Sequence, residues 1–283
     1  MLALLACVMA FFLAGRACAA IVGPGATEVP AKTVLSGLAP GACRAFAPLG
    51  PDRGRTVFID PGHGGPDPGV VGTTSDGRRV EEKTVALDVA LDLAARLRRD
   101  GYRVVLSRTG DSTVASFGPH SPPVMSADGI HRDLVARIAC ANASRAAVLL
   151  SIHCNGFDDP SVGGTETIYD DARPFSTQSL RLAQDLQRAM VARLGLTDRG
   201  VVPDDQLDAY TLSDRADRYG HLLLLGPAQP GYLDHPSRMP GALVEPLFLT
   251  APAEADLADS ASGQQEIAQA LGDGLEAALR QTG

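Results

Sequence analysis

Two histidines and two glutamates stand where a metal-assisted hydrolysis would need them. The run Thr56–Asp60 (TVFID) leads into Pro-Gly-His63-Gly-Gly, Ala147–Ile152 (AVLLSI) into His153-Cys154-Asn155, and Ala242–Val244 into Glu245. These short apolar runs read as buried strands, and in open parallel sheets ligands bind outside the carboxyl ends of the strands. Glu82 opens a helical pattern just beyond the His63 loop, so it falls near the same sheet edge. Two neutral imidazoles and one carboxylate are a known ligand set for catalytic Zn²⁺, with a fourth position left for water. His63, Glu82 and His153 are therefore expected to hold one zinc ion. Amide hydrolysis also needs a group that takes the proton from water and delivers it to the leaving nitrogen. Glu245, desolvated at the end of an apolar strand, has the surroundings that raise a carboxyl pKa into a useful range.

Each assignment has a plainer rival. Glu81 competes with Glu82, but one residue along a helix turns a side chain by about 100°, so only one of them faces the metal. Cys154 is not expected to share an ion with His153, because adjacent strand residues face opposite sides. Asp60 either orients His63 or caps the following turn, and Asn155 either positions substrate or holds its own loop. His120, His131, His221 and His235 lie in irregular segments and read as solvent or rim residues, with His131 a candidate helix cap. Arg108 reads as a loop anchor acting through an ion pair.

The elements that must carry these residues alternate along the chain. After TVFID comes a helix from Glu82 to Arg99, with Val85, Val89, Leu93 and Leu97 on one stripe and Asp100-Gly101 as its stop. Strand Tyr102–Ser107, helix Arg132–Ala143, strand Ala147–Ile152 and helix Ser179–Leu194 follow. Strands Leu222–Leu225 and Ala242–Glu245 and a closing helix Gln265–Arg280 complete the set. That alternation predicts a single α/β domain with a mainly parallel, twisted sheet flanked by helices on both faces. Long connections at 110–130, 200–221 and 226–241 interrupt it, and some of them are expected to rim a substrate groove.

A chain of 283 residues with 45% hydrophobic content can bury a full core, which places the catalytic domain at 55–283. Residues 1–20 form an apolar run closed by Ala17-Cys18-Ala19 and read as a signal peptide, so the protein is expected to be exported. The destination would be the periplasm, the cell wall or the extracellular space. No other run is long enough to cross a bilayer, so no stable membrane insertion is expected after cleavage. Residues 21–54, rich in Gly, Pro and Ala, read as a linker or draped N-terminal arm. The net charge of −8, with no Lys/Arg cluster, argues against nucleic acid as a partner. Cys43, Cys140 and Cys154 remain in the mature chain, and export permits a disulfide. Cys140 and Cys154 are poor partners, being about 15 Å or more apart on helix and strand rises, so Cys43–Cys140 is the favoured pair. Three free thiols are the alternative.

The motifs also resemble a known family. Val57 to Gly69 (VFIDPGHGGPDPG), Glu82-Lys83, Ser151 to Asn155 (SIHCN) and Leu243 to Glu245 (LVE) are similar, in this order, to the zinc-dependent N-acetylmuramoyl-L-alanine amidases of the amidase-3 type. The resemblance runs from about Arg55 to the C-terminus and includes Arg108, Arg137 and Ala141-Asn142. It implies cleavage of the amide between N-acetylmuramic acid and the L-alanine of the peptidoglycan stem peptide. It also implies zinc on His63, Glu82 and His153, and Glu245 as the catalytic glutamate. Departures are Pro246-Leu247-Phe248 after that glutamate, Cys154 where alanine is common, and a long 110–130 segment. No wall-binding repeat is visible, so wall targeting is expected from the domain itself or from another protein, and a regulatory partner and a monomeric state go with this reading. An inactive peptidoglycan-binding homologue and a zinc peptidase acting within the stem peptide are the rival functions.

Overall fold

The computed structural model describes residues 26–28, 37–118, 124–207 and 214–280. Strand β3 (Thr56–Pro61) lies at the centre, with every residue after Thr56 buried. It pairs in parallel with β6 (Arg103–Leu106) on one side and β7 (Val148–Ile152) on the other, and β7 pairs in parallel with β10 (Gly241–Glu245). These four strands are covered on both faces, which explains why their sequences are nearly continuous apolar runs rather than alternating ones.

The sheet widens by antiparallel additions. β2 (Arg44–Phe46) runs against β6, and β1 (Ala26–Glu28) against β2. At the other edge β8 (Thr165–Tyr169) runs against β10 and carries β9 (Asp198–Pro203) in parallel. The full order is β1-β2-β6-β3-β7-β10-β8-β9, and a separate hairpin pairs β4 (Val71–Thr73) with β5 (Arg79–Glu81).

One face is covered by α1 (Glu82–Arg99), α3 (Ser176–Leu194) and α6 (Ala261–Arg280). The expected stripe Val85, Val89, Leu93 and Leu97 is buried there with Ile267, Leu271 and Leu275 of α6. Truncating such a leucine to alanine costs roughly 2–5 kcal/mol. The opposite face is covered by α2 (Ala127–Ser144), whose Ile138 and Ala141 pack with Leu223, Leu224, Tyr232 and Leu233. Two short helices, α4 (Asp214–Tyr219) and α5 (Pro252–Asp259), complete the fold.

Several sequence expectations need correction. Within 21–54, the segment ending at Phe46 supplies a sheet strand and is not a free arm, and a Cys43–Cys140 disulfide ties it to α2. A three-residue strand in a Gly/Ala/Pro-rich setting is too short to show periodicity. Leu222–Leu225 forms no strand; Leu225 and Gly226 donate to the Leu222 carbonyl in a turn. Its apolar character comes from burial under the α2 layer. Strands β8 and β9 were not anticipated, because in DRGVVP and TETIY polar residues break up the apolar ones. The predicted signal peptide and His120 lie outside the described residues. Among the described residues no helix is long and apolar enough to cross a membrane.

Candidate active site

The ends of β3, β7 and β10 are level. Pro61 registers with Ile152 and Val244 with Ile152, while Gly62 N donates to the Ile152 carbonyl and His153 N to the Val244 carbonyl. Residues immediately after these strands therefore meet at one sheet edge. His63 holds a left-handed backbone, φ 58°, in the loop after β3. Two glycines keep the approach open. A Cβ on Gly62 would fall 2.4 Å from His153 Cε1, and one on Gly69 would fall 2.4 Å from Glu82 Oε2.

Glu82 is delivered by the start of α1, which has no side-chain cap. Its orphan N–H groups are satisfied instead by the loop, with Glu82 N donating to the Val70 carbonyl and Lys83 N to that of Pro68. In return Val70 N donates to Glu82 Oε2 at 2.7 Å and Cys154 N to Oε1 at 3.0 Å. Glu81 faces elsewhere, paired with Arg79 at 2.7 Å.

Three donor atoms then converge. Glu82 Oε1 lies 3.0 Å from His63 Nε2 and 2.8 Å from His153 Nδ1, and the two ring nitrogens are 3.1 Å apart. Ring nitrogens facing each other across a buried carboxylate make a group able to hold a metal ion. Donors of a tetrahedral zinc site, with bonds of about 2.0–2.1 Å, sit roughly 3.3 Å apart, so a cation fits after a few tenths of an ångström of expansion. His63 Nδ1 turns away to Asp67 Oδ2 at 2.8 Å. A carboxylate on the outer nitrogen fixes the ring and its tautomer, as in many metal sites.

The electrostatics agree. Burial opposes charge on His63, yet Glu82 and Asp67 raise its pKa to about 10. Burial likewise works against the Glu82 carboxylate, and His63 and His153 outweigh it and hold that pKa below the usual range. Glu245 differs: burial, then Glu82, push it well above the ordinary value, with His63 opposing. Its Oε2 is buried with no hydrogen-bond partner among the described residues, and Glu166 stands directly opposite in the β8/β10 register. A proton or a cation nearby would relieve this crowding of carboxylates.

Behind the site, Arg137 donates to Asp60 Oδ1 at 2.9 Å, to Asp133 Oδ2 at 2.8 Å and to the carbonyls of Pro61 and His63. Asp60 therefore fixes the His63 loop through Arg137 and not by touching the ring. Arg108 does anchor the loop, but by donating to the carbonyls of Pro61, Gly62, Lys83 and Gly110 and not through the expected ion pair. Burial lowers its pKa to about 10. Asn155 Oδ1 accepts from Gly156 N at 2.8 Å within its own loop, and Nδ2 donates to Glu166 Oε2 at 3.4 Å. Cys154 is buried in the α1-side core, away from the His153 face. Met125, Ile130 and Leu222–Leu224 wall the cavity beside His63 and His153, so of the three long connections the one at 110–130 rims it, together with the Leu222–Leu225 turn. His131 bonds the Tyr232 carbonyl and caps nothing; Ser126 caps α2.

A mixed α/β sheet gathers at its strand ends two imidazoles and a carboxylate able to hold a metal ion, beside a further buried carboxyl, an arrangement suited to hydrolysis. The chain belongs to the amidase-3 family, whose model, described as N-acetylmuramoyl-L-alanine amidase, matches residues 57–277. It is 32% identical over 224 residues to the N-acetylmuramoyl-L-alanine amidase LytC of Bacillus subtilis, covering 79% of this chain but only 35% of that protein. Among solved structures, an N-acetylmuramoyl-L-alanine amidase from Clostridium difficile 630 matches with TM-score 0.57 and 29% identity over 81% of this chain and 98% of that one. The CwlD amidase from Clostridioides difficile, in complex with the GerS lipoprotein, shares the fold with TM-score 0.62 and 24% identity, covering 80% and 99% of the two chains.

Proposed function

We propose that this protein is an exported, zinc-dependent amidase that hydrolyses the bond between the lactyl carbonyl of N-acetylmuramic acid and the L-alanine nitrogen of the stem peptide, for cell-wall turnover. The observation that carries the reading is the convergence of His63 Nε2, His153 Nδ1 and Glu82 Oε1 within 3.1 Å of one another. Family membership, through the match over residues 57–277, supports the substrate class. When bound, the ion supplies Lewis-acid polarisation of the scissile carbonyl and a water acidic near neutral pH. His63, Glu82 and His153 hold it, and Asp67 and the Arg137 network keep His63 oriented. Glu245 accepts the proton released as water attacks and hands it to the alanine nitrogen as the C–N bond breaks. The products are a free lactyl carboxylate and a peptide with an L-alanine amino terminus.

Digestion of purified sacculi with and without a chelator, followed by mass analysis, tests this. Chelator-sensitive release of stem peptides beginning with L-alanine is expected. Cuts inside the stem peptide would make it a peptidase, and unchanged sacculi with zinc bound would make it a binding protein. The lipoprotein complex of CwlD supports asking whether a partner protein governs this domain as well.

A further inference from the structure

A second group of side chains converges away from this centre. Asp170 follows β8, Asp204 follows β9 and His221 follows α4. Because β8 is antiparallel to β10, with Glu166 opposite Glu245 and Ile168 opposite Leu243, its carboxyl end lies at the far end of the sheet from His153 and Glu245. There His221 Nδ1 sits 3.1 Å from Asp170 Oδ2 and 3.1 Å from Asp204 Oδ1.

The hydrogen-bond inventory does not balance. Asp170 is 2% exposed and Asp204 is fully buried. One imidazole N–H serves one acceptor, and Asp204 also receives Leu222 N at 2.8 Å. Neither side-chain oxygen of Asp170 makes a well-formed hydrogen bond among the described residues, the Asp204 carboxyl and the Ala172 backbone being its polar neighbours besides His221. Arg173 favours the charged form of Asp170 but directs its hydrogen bonds to the carbonyls of Leu225, Gly226 and Ser237. Two buried carboxylates facing one ring nitrogen and each other are costly unless a proton or a cation sits between them.

We propose that Asp170, Asp204 and His221 form a second divalent-cation site, distinct from the catalytic centre, which takes a first-row ion such as Zn²⁺. All three offer ligand atoms within 4.8 Å of one another. The imidazole donor favours a transition metal over Mg²⁺ or Ca²⁺, whose partners are oxygens. Its consequence is structural. The ion would tie the ends of β8 and β9 to His221, and the next residues, Leu222–Leu224, wall the catalytic cavity. The site does not depend on the amidase reading.

Zinc titration of chelator-stripped protein, read as bound equivalents, tests it. Wild type is expected to bind two equivalents, Asp170→Asn one, His153→Ala one, and the H153A/D170N double variant none. Zinc is also expected to raise the Tm of His153→Ala and to leave that of the double variant unmoved. A His153→Ala protein that binds no zinc, or whose Tm ignores zinc, would overturn the site and leave a shared proton in its place. These two readouts decide the matter even if Asp170→Asn fails to fold.

Discussion

Asp67 Oδ2 lies 2.8 Å from Nδ1 of His63, on the side of the ring away from Glu82. That contact sets which nitrogen points into the site, because a proton held at Nδ1 leaves Nε2 free as a donor of electrons. Carboxylate partners of this kind change metal affinity by about 10–100-fold when removed. Asp67→Asn is expected to weaken zinc binding within that range, with little change in fold. Competition against a chromogenic chelator reads it, and unchanged affinity would reduce Asp67 to a loop residue.

Gly62 is constrained by a neighbouring side chain and not by its own backbone. A Cβ there would lie 2.4 Å from His153 Cε1 and 2.6 Å from Nε2. Gly62→Ala must turn the imidazole away, while overpacking of this sort costs roughly 1–3 kcal/mol of stability. Bound zinc is expected to fall by on the order of tenfold or more in affinity, in a protein that still unfolds cooperatively. Full zinc content in the variant would show that His153 does not hold the ion in this rotamer.

The disulfide joins residues 97 apart in sequence and fastens β2 to α2. For a loop of that length the chain-entropy model gives roughly 4–5 kcal/mol, and removal of native disulfides commonly costs about 2–5 kcal/mol. At about 2–4 °C per kcal/mol for a domain somewhat smaller than this one, reduction should lower Tm by roughly 5–15 °C. Thiol labelling gives an independent check. Cys43, Cys140 and Cys154 are all buried, so the count is taken in unfolded protein: of these three, one thiol should label without reductant and all three with it. Three labelled without reductant would show that the disulfide does not form.

Much of the site was legible because its chemistry sits at strand ends. His63, His153 and Glu245 each follow an apolar run, and parallel strands deliver such residues to one edge regardless of their separation in sequence. Asp67 was not legible as a partner of His63. Their contact depends on the left-handed turn at His63, which spacing alone does not reveal. The convergence of Asp170, Asp204 and His221 was hidden for another reason. It depends on β8 running antiparallel to β10, and β8 itself lacks the continuous apolar pattern of the central strands. The sequence alone reads His221 as a solvent or rim residue and does not show its two carboxylate neighbours, and it reads Leu222–Leu225 as a strand, since a buried turn and a buried strand look alike in four leucines.

In the proposed mechanism Glu245 handles protons and does not bind the metal. Its Oε2 is buried without a hydrogen-bond partner among the described residues, and burial, then Glu82, hold its pKa well above the ordinary 4.5. Glu245→Gln keeps the shape and removes the charge, so zinc should stay while turnover falls by roughly 10²–10⁴, the usual worth of a general acid–base group. The same variant carries a signature in stability. In zinc-free protein the folded state keeps this proton at pH values where the unfolded chain has released it, so stability declines as pH rises above about 4.5. Glu245→Gln removes that contribution, and its stability in chelator should fall less between pH 4.5 and 8 than that of wild type. Denaturant unfolding across that range measures the slopes, and metal analysis measures the zinc. A variant with the wild-type slope, or one that loses zinc in proportion to activity, would take the proton-transfer role away from Glu245.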